Sequence, residues 1–241
     1  MANTIKLTCA NKPPIIAHRG MSGLEPENTH AAFIAAGNRS HFGIETDTHK
    51  TVDGYFVTFH DNSTKRMSGD DMIIEQATYE TLRSMRLRQK DGEKGRTDLR
   101  IPNLQEYIGI CKYYEKVAVL ELKNEFTAEE VDEICKIVEA ADYMDSTIFI
   151  SFAFQNMVHI RKRCPQQAAQ FLIETFEDDL IDRLLEYNLD LDIYYKALTA
   201  ENVKACHNAG IKVNCWTVDD PAEAERLASY GVDFITSNIL E

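Results

Sequence analysis

The stretches VAVLEL at residues 117–122 and TIFISF at residues 147–152 are near-continuous runs of apolar residues. Strands that are covered on both faces carry such runs, as in buried parallel sheets. Working outward from these two, we predict eight strands, at residues 15–18, 42–47, 117–123, 147–152, 168–173, 191–195, 212–218 and 234–237. The pattern indicates a sheet that is buried on both faces.

Helix signals lie between the predicted strands. Thr127 and Glu130 have the spacing of a capping box, and Asp220 before Pro221 is typical of an N-cap and a first helical residue. Gly210 suits the position just after a helix end. Apolar residues recur at helical spacing after the capping box, at Val131, Ile134, Cys135 and Val138. Strands and helices therefore alternate along the chain.

This alternation predicts the α/β class and favours a (β/α)8 TIM barrel. A doubly wound open parallel sheet is the alternative. The 241 residues are long for one domain but normal for a barrel of this kind. We therefore predict a single domain over residues 1–241.

A ninth short strand is predicted at residues 55–59, directly after Asp53-Gly54, a dipeptide typical of hairpin turns. The connection from the preceding strand is too short for a parallel crossover. This strand should therefore run antiparallel and bring His60 close to Glu45.

The segment at residues 62–102 is longer than an ordinary loop, and we predict it as an insertion. Its part from residue 83 to residue 100 holds seven basic and three acidic residues. This balance indicates either a solvated face or a lid that attracts anions.

Composition and charge exclude some classes of protein. A net charge of −13 disfavours a nucleic-acid partner, although a local group of cations can still bind an anion. No apolar run approaches the roughly 20 residues that span a bilayer, so we expect no stable membrane insertion. With no signal-peptide pattern, a soluble, cytoplasmic protein is predicted. The six cysteines form no CxxC pair, so we predict free thiols, with Cys215 as a less favoured nucleophile.

The predicted strand ends carry charged and titratable residues. Active sites of barrels form at the carboxyl ends of the strands, where separate segments of the chain meet. The candidates at these ends are His18, Arg19, Glu45, Asp47, His60, Glu121, Lys123 and Trp216.

Three of these candidates are carboxylates. Glu45 and Asp47 project to the same face of an extended chain, and Glu121 comes from the neighbouring strand. Brought together, they repel one another unless a cation lies between them. Oxygen ligands suit a hard ion, so the sequence predicts a site for Mg²⁺ or Ca²⁺.

The remaining charged candidates suit phosphate chemistry. Arg19 offers a planar fork to phosphate oxygens, and Lys123 offers a point charge. His18 and His60 titrate near neutral pH and are suited to act as a general acid and a general base. This set predicts cleavage of a phosphodiester.

Three further residues near the predicted site have these interpretations. Asn28 is predicted to cap a helix. Glu27 either starts that helix or reaches the site as a hydrogen-bond acceptor. Trp216 belongs either to the core or to the wall of the site.

The motifs HRG, PENT, ETD, DGYFVTFHD, ELK, CWTV and ITSN occur in this order over residues 15–238. The ordered set resembles the glycerophosphodiester phosphodiesterase family. The resemblance implies a TIM barrel with a small insertion and hydrolysis of glycerophosphodiesters to sn-glycerol 3-phosphate and an alcohol.

Roles for the candidate residues follow from the same resemblance. It implies that His18 and His60 are the acid–base pair and that Arg19 and Lys123 bind phosphate. Trp216 resembles an apolar wall near the glycerol or head group. The implied metal ligands are Glu45, Asp47 and Glu121.

The end of the chain departs from the family pattern. The family's last strand usually ends in Thr-Asp followed by Pro and a helix, whereas here Thr236, Ser237 and Asn238 are followed by three residues. We therefore expect another segment, or a second copy of the chain in a homo-oligomer, to cover apolar barrel surface there.

Two other functions are compatible with the sequence. One is a lysophospholipase D-like or cyclising phosphodiesterase that acts on lysophospholipids. The other is a non-catalytic barrel that binds a phosphate metabolite. The paired histidines favour an enzyme, since a binding protein has no need of two titratable groups around a phosphate. The expected partner is a small-molecule glycerophosphodiester substrate.

Overall fold

The computed structural model describes residues 3–9 and 11–241 and contains a nine-stranded sheet. Its strands are β1 (Ile15–Ala17), β2 (Gly43–Lys50), β3 (Phe56–Thr58), β4 (Val117–Leu122), β5 (Thr147–Ser151), β6 (Ala169–Ile173), β7 (Asp190–Tyr194), β8 (Val213–Trp216) and β9 (Phe234–Ser237). The eight strands predicted for the barrel and the ninth of the hairpin are all confirmed.

The helices surround this sheet. They are α1 (His30–Gly37), α2 (Lys65–Ser68), α3 (Tyr79–Ser84), α4 (Leu104–Tyr113), α5 (Ala128–Ala140), α6 (Phe154–Arg163), α7 (Leu180–Glu186), α8 (Ala200–Asn208) and α9 (Pro221–Tyr230). Short 3-10 helices lie at Ile74–Gln76, Met144–Ser146 and Tyr195–Ala197.

The sheet closes into a barrel at β1. Ile16 of this strand lies opposite Gly43 of β2 on one side and opposite Thr236 of β9 on the other, and both pairings are parallel. The chain therefore folds as the predicted (β/α)8 TIM barrel. The doubly wound open sheet is wrong, because an open sheet would leave β1 or β9 without one of these neighbours.

The hairpin is antiparallel, as predicted. Thr48 of β2 lies opposite Thr58 of β3, and Lys50 lies opposite Phe56. This pairing extends β2 three residues beyond its predicted end at Asp47. The extension directs the chain after β3 back towards the barrel mouth, where it places His60.

The helix signals of the sequence are confirmed at α5, α8 and α9. Thr127 Oγ1 accepts from the Glu130 N–H at 3.2 Å, and Glu130 Oε2 accepts from the Thr127 N–H at 2.9 Å. Asp220 Oδ1 accepts from the Ala222 N–H at 2.8 Å at the start of α9. Gly210 follows α8 with a φ of +77°. The predicted cap at Asn28 is wrong, because Thr29 caps α1.

The apolar core has three parts. Ile16, Val119, Ile148, Ile150 and Leu172 fill the inside of the barrel. A larger cluster lies between the barrel and the helices and includes the four predicted apolar residues of α5. Residues in and beside 62–102 form their own small cluster around Ile74, Leu82, Leu99 and Ile101.

Three of the seven basic residues at 83–100 lie in ion pairs near the surface. Arg83 contacts Glu106 at 2.8 Å, and Lys94 contacts Asp70 at 3.2 Å. Arg96 contacts both Glu25, at 2.5 Å, and Asp98, at 2.7 Å. Since these pairs neutralise three of the seven cations locally, they favour a solvated face over an anion-attracting lid.

The residues after β9 pack against the beginning of the chain. The Ile5 N–H donates to Ile239 O at 3.0 Å, and the Leu7 N–H donates to Glu241 O at 2.8 Å. Leu7 and Leu240 are buried in the larger cluster. The expected covering segment is therefore residues 5–7 of this chain.

Candidate active site

The candidate residues converge on one cavity at the carboxyl ends of the strands. Its volume is about 90 Å³, and seven of the eight predicted residues line it. They are His18, Arg19, Glu45, His60, Glu121, Lys123 and Trp216. Asp47 lies directly beside it, with Oδ2 3.5 Å from Arg19 Nε and Oδ1 3.3 Å from Lys123 Nζ.

The acidic residues form a compact cluster. Glu45, Asp47 and Glu121 each offer a carboxylate oxygen, and these three atoms lie within 4.8 Å of one another. The β2–β4 register produces this arrangement, because Asp47 lies opposite Glu121 and Glu45 lies two residues earlier. All three side chains are buried. The cluster fits a divalent cation.

The pKa values in the cluster diverge. Burial, Asp47 and Glu121 raise the pKa of Glu45 well above its ordinary value. Burial and Asp47 raise the pKa of Glu121 to about 7. Burial would also raise the pKa of Asp47, but Arg19 and Lys123 hold it well below its usual range. Two carboxyls thus lack sufficient positive charge, as expected for ligands of a cation.

Arg19 is held in a strained backbone position at the tip of β1. Its φ is +53°, and its N–H donates to Glu45 Oε2 at 2.7 Å. Its Nη1 donates to Glu27 Oε1 at 2.9 Å, so Glu27 reaches the site as an acceptor. The next residue is Gly20, where a Cβ would lie 2.7 Å from the carbonyl carbon of Ala32. The glycine therefore allows this loop to approach α1 closely.

Asn28 organises the cluster instead of capping a helix. Its Nδ2 donates to Asp47 Oδ2 at 2.7 Å, and its Oδ1 accepts from Thr46 Oγ1 at 2.7 Å. Thr29 Oγ1 accepts from the Ala32 N–H at 3.2 Å and caps α1. The side chain of Asn28 is therefore free to orient Asp47.

His18 is supported by an amide. Its Nδ1 donates to Asn238 Oδ1 at 2.8 Å, and Asn238 Nδ2 donates to Asp219 Oδ2 at 2.7 Å. The contact with Asp219 fixes which end of the amide faces the imidazole, so Nδ1 carries the proton and Nε2 is unprotonated in the neutral ring. Burial and then Arg19 lower the pKa of His18 to about 4.

His60 is supported by a carboxylate. Its Nδ1 donates to Asp61 Oδ1 at 2.8 Å, and Asp61 Oδ2 accepts from Arg66 Nε at 2.7 Å. A carboxylate stabilises an imidazolium better than an amide does. The two histidines therefore have the same hydrogen-bond geometry but different electrostatic support.

The other side of the cavity is mostly apolar. It is lined by Ile150, Phe152, Leu172, Asp192, Trp216, Thr217 and Thr236. The Phe152 ring packs edge-on against Trp216 with centroids 5.4 Å apart, and the Tyr194 ring centroid lies 5.6 Å from that of Trp216. Trp216 is thus part of the cavity wall. Cys215 points elsewhere and is buried, and its pKa is raised, which argues against a thiolate nucleophile.

Sequence reasoning missed several residues of the site. Asn28 and Asn238 lay within quoted motifs, but their side-chain partners come from distant segments. Asp61 was adjacent to a candidate and could have been recognised as a histidine partner. Asp192 and Phe152 carried no local signal, because isolated residues at strand ends are common.

In the part of the chain that the structure describes, no helix combines the length and the apolar composition needed to cross a membrane. The six cysteines are free thiols, as predicted.

Together, the fold and the site define a class of protein: a TIM-barrel enzyme with an acidic cluster that fits a cation, two basic side chains suited to phosphate and two imidazoles around one cavity. Comparison with known proteins narrows this class. The model of the glycerophosphoryl diester phosphodiesterase family matches residues 18–240. The chain belongs to this family, which confirms the resemblance and the prediction of a phosphodiesterase.

Individual relatives agree. A glycerophosphodiester phosphodiesterase of Caldanaerobacter subterraneus subsp. tengcongensis is 28% identical over 235 residues, which cover 94% of each chain. A phosphodiesterase structure from Oleispira antarctica, in complex with the product sn-glycerol-3-phosphate, has a TM-score of 0.87 and 28% identity and covers 94% of this chain and 93% of that one. A glycerophosphodiester phosphodiesterase from Thermotoga maritima has a TM-score of 0.75 and 25% identity, with 94% of each chain covered.

Proposed function

We propose that this protein hydrolyses glycerophosphodiesters to sn-glycerol 3-phosphate and an alcohol, in a metal-dependent reaction with His18 and His60 as the acid–base pair. The observation that carries the proposal is the convergence of both histidines and two carboxylates on one cavity, with Asp47 between Arg19 and Lys123 beside it. A binding protein would gain nothing from two imidazoles in this position.

The acidic cluster would hold the metal ion. Its donors are the carboxylates of Glu45, Asp47 and Glu121, and an all-oxygen set suits Mg²⁺ or Ca²⁺. The raised pKa values of Glu45 and Glu121 support this, because a cation is the missing partner of both groups. When bound, such an ion supplies positive charge that stabilises the phosphoryl oxygens.

Arg19 and Lys123 would bind the phosphate. Both line the cavity, and both are already oriented by contacts with Asp47. Donors that are fixed before the substrate arrives need no reorganisation as charge develops on the phosphoryl oxygens.

We assign the base to His18 and the acid to His60. His18 is neutral at physiological pH because burial and Arg19 lower its pKa to about 4, so Nε2 can accept a proton. Burial lowers the pKa of His60, and Asp47 and the Asp61 carboxylate act against this by stabilising the protonated ring that an acid requires. His60 would then protonate the leaving alkoxide oxygen.

A head-group panel tests the proposal. Purified protein is incubated with glycerophosphocholine, glycerophosphoethanolamine, glycerophosphoglycerol and glycerophosphoinositol, with lysophosphatidylcholine as a further arm. We expect release of sn-glycerol 3-phosphate from at least one glycerophosphodiester, abolished by EDTA and restored by Mg²⁺ or Ca²⁺. Turnover confined to the lysolipid would replace this function by the lysophospholipase D-like one, and full activity after metal removal would contradict the metal requirement.

The single-domain organisation with an insertion at residues 62–102, a cytoplasmic location and a homo-oligomeric state stay predictions. Gel filtration and proteolysis of the full chain test the first and the last of these.

A further inference from the structure

Arg66 lies on α2, the first helix of the segment at residues 62–102, and has no role in the proposed reaction. Its guanidinium contacts two carboxylates at once. Nε donates to Asp61 Oδ2 at 2.7 Å, and Nη2 donates to Asp61 Oδ1 at 3.0 Å. Nη1 donates to Glu27 Oε2 at 2.9 Å, and Nη2 donates to Glu27 Oε1 at 2.7 Å. Arg66 therefore forms a bidentate pair with each carboxylate.

Each of these carboxylates also holds a residue of the candidate active site. Asp61 Oδ1 accepts from His60 Nδ1 at 2.8 Å, and Glu27 Oε1 accepts from Arg19 Nη1 at 2.9 Å. Both of these oxygens also accept from Nη2 of Arg66. A continuous chain of hydrogen bonds thus runs from the proposed acid, through Arg66, to a proposed phosphate ligand.

The hydrogen-bonding capacity of this guanidinium is fully used. An arginine side chain has five N–H groups, and four of those of Arg66 point to the two carboxylates. The fifth, on Nη1, points to Met67 Sδ at 3.3 Å. A lysine has the same charge but cannot form two planar pairs, because its ammonium is a point charge. The double contact therefore requires an arginine.

The cation keeps two neighbouring carboxylates charged. Glu27 and Asp61 accept from the same nitrogen, so they would repel one another without it. Burial acts to raise the pKa of Asp61, but Arg66 and His60 lower it to about 2. Burial acts in the same way on Glu27, and Arg66 and Arg19 lower its pKa. Both carboxylates thus stay ionised and able to hold their partners.

A second arginine of the same segment makes similar contacts outside the site. Arg96 Nη1 donates to Glu25 Oε2 at 2.5 Å, and its Nη2 donates to Asp98 Oδ2 at 2.7 Å. Like Glu27, Glu25 belongs to the loop between β1 and α1. In residues 3–9 and 11–241, neither Glu25 nor Asp98 bonds to a candidate active-site side chain. Attachment of the segment to this loop is therefore separable from contact with the site.

We propose that Arg66 is a positioning residue that couples His60 to Arg19, so that one guanidinium fixes the proposed acid relative to a phosphate-binding side chain. The inference rests on the proposed function, because it takes the roles of His60 and Arg19 from it. The segment at residues 62–102 then supplies a residue on which the charged groups of the site depend. Groups that are fixed before the substrate arrives need no reorganisation during the reaction.

Kinetics and binding of Arg66→Ala test this role. With the best glycerophosphodiester of the head-group panel, we expect kcat to fall about tenfold or more, because the carboxylate that supports His60 is no longer fixed. Calorimetry in Mg²⁺ should show about threefold weaker binding of sn-glycerol 3-phosphate, a smaller loss because Asp47 still orients Arg19. Arg66→Lys should recover little of either loss, since a lysine cannot pair with both carboxylates.

Free guanidinium distinguishes the double contact from a simple attachment of the segment. About 50 mM guanidinium chloride is far below the concentrations that unfold proteins, and it can enter the partly exposed space that Arg66→Ala opens. We expect it to restore most of the lost kcat and affinity. The same concentration of methylammonium chloride, which has the charge without the planar fork, should restore little. A free ion attaches nothing to the chain, so this recovery depends only on the contact between the carboxylates.

The matched control is Arg96→Ala. It removes a cation that contacts two carboxylates and attaches the same segment to the same loop. We expect it to keep kcat and the affinity for sn-glycerol 3-phosphate within about twofold, as for an ordinary surface ion pair. Thermal unfolding of both variants measures the structural part of each contact.

The outcomes separate the two proposals. The coupling role is refuted if Arg66→Ala keeps either kcat or the affinity, if Arg96→Ala loses as much of both, or if guanidinium restores neither. Glycerophosphodiester hydrolysis by the unmodified protein would leave the proposed function intact in each case. In a protein without such hydrolysis, an affinity for sn-glycerol 3-phosphate that falls in Arg66→Ala and returns with guanidinium would support the coupling and refute the proposed function.

Discussion

The two sides of the cavity differ in how their side chains are held in place. On the charged side, polar groups from distant segments bind one another. This side is formed by His18, Arg19, Glu45, His60, Glu121 and Lys123, together with Asp47. The apolar side includes Ile150, Phe152, Leu172 and Trp216 and is held mainly by packing, with the ring centroids of Phe152 and Trp216 5.4 Å apart. This difference indicates that one side is preorganised for chemistry and the other is kept open for recognition.

Removing an imidazole should have the largest effect. We expect His18→Ala and His60→Ala each to lower kcat by roughly 10²–10⁴-fold, the usual contribution of general acid–base catalysis. Substrate binding should persist, since the phosphate contacts remain. Steady-state kinetics with glycerophosphocholine measures this. His159→Ala on α6, whose ring contacts Gln155 away from the cavity, is the matched control and should keep normal turnover. Unchanged binding and unchanged turnover in His18→Ala would break the catalytic assignment.

Loss of a phosphate contact should come next. Lys123→Ala should lower kcat/KM by an amount that corresponds to a loss of about 2–4 kcal/mol of transition-state stabilisation. This is the value of a charge-assisted hydrogen bond in a dry site. Lys136→Ala removes an exposed lysine that pairs with Asp132 and should leave kcat/KM unchanged. A change below tenfold in Lys123→Ala would contradict its role on the charged side.

Asn238 should have a smaller, positioning effect through His18. Asn238→Ala should lower kcat about tenfold with little change in KM, because the imidazole loses the partner that orients it. Asn238→Asp places a carboxylate 2.8 Å or so from Nδ1 and should raise the pKa of His18 from about 4. Since the base must be neutral, the acidic limb of the kcat/KM profile should then move to higher pH. If the acidic limb of the kcat/KM profile does not move, Asn238 does not act through His18.

The pH dependence of stability should reveal the charge imbalance. In metal-free protein the folded-state pKa of Glu121 is about 7, against an ordinary 4.5, so the folded state binds more protons than the unfolded state between these values. The contribution of Glu121 to the free energy of unfolding should therefore rise as the pH falls from about 8 towards 6.5. Burial lowers the folded-state pKa values of five histidines, which oppose this rise over the same range, so the contribution of Glu121 is the difference between the unmodified protein and Glu121→Gln. These histidines are His18, His30, His41, His49 and His60.

Thermal unfolding with EDTA at several pH values measures this rise. Glu121→Gln should remove most of it and should weaken Mg²⁺ binding far more than it lowers the metal-free unfolding temperature. If Glu121→Gln keeps the full rise in the free energy of unfolding, a group outside the acidic cluster causes that rise.

The smallest effect is expected at the edge of the apolar side. Phe152 is 42% exposed and packs edge-on against Trp216. Phe152→Ala should raise KM by about threefold or less and leave kcat unchanged, because little of the ring is withdrawn from water. Exposed Tyr113, substituted by Ala, is the control. A large loss of kcat in Phe152→Ala would mean that the apolar side takes part in the chemistry.

Local sequence signals predicted much of the fold. The apolar runs marked each strand within a few residues, and Thr127, Glu130 and Asp220 marked helix starts, because these features depend on neighbours within one turn. The same logic failed at Asn28, where a good capping residue is used elsewhere. Its partner Asp47 lies on β2, and the residues next to Asn28 in the sequence do not indicate this contact.

The sequence by itself determined the order of strands and helices, the charged and titratable residues at the strand ends and, through the ordered motifs, the family. Only the tertiary structure decided that β1 closes the barrel, that an amide supports one histidine and a carboxylate the other, and that Asp192 lines the cavity. The physical reason is the separation along the chain of the residues that make each contact. Helix caps and apolar periodicity are set by contacts a few residues apart, whereas barrel closure, hydrogen-bond partners and pKa values depend on which distant groups meet in a dry space.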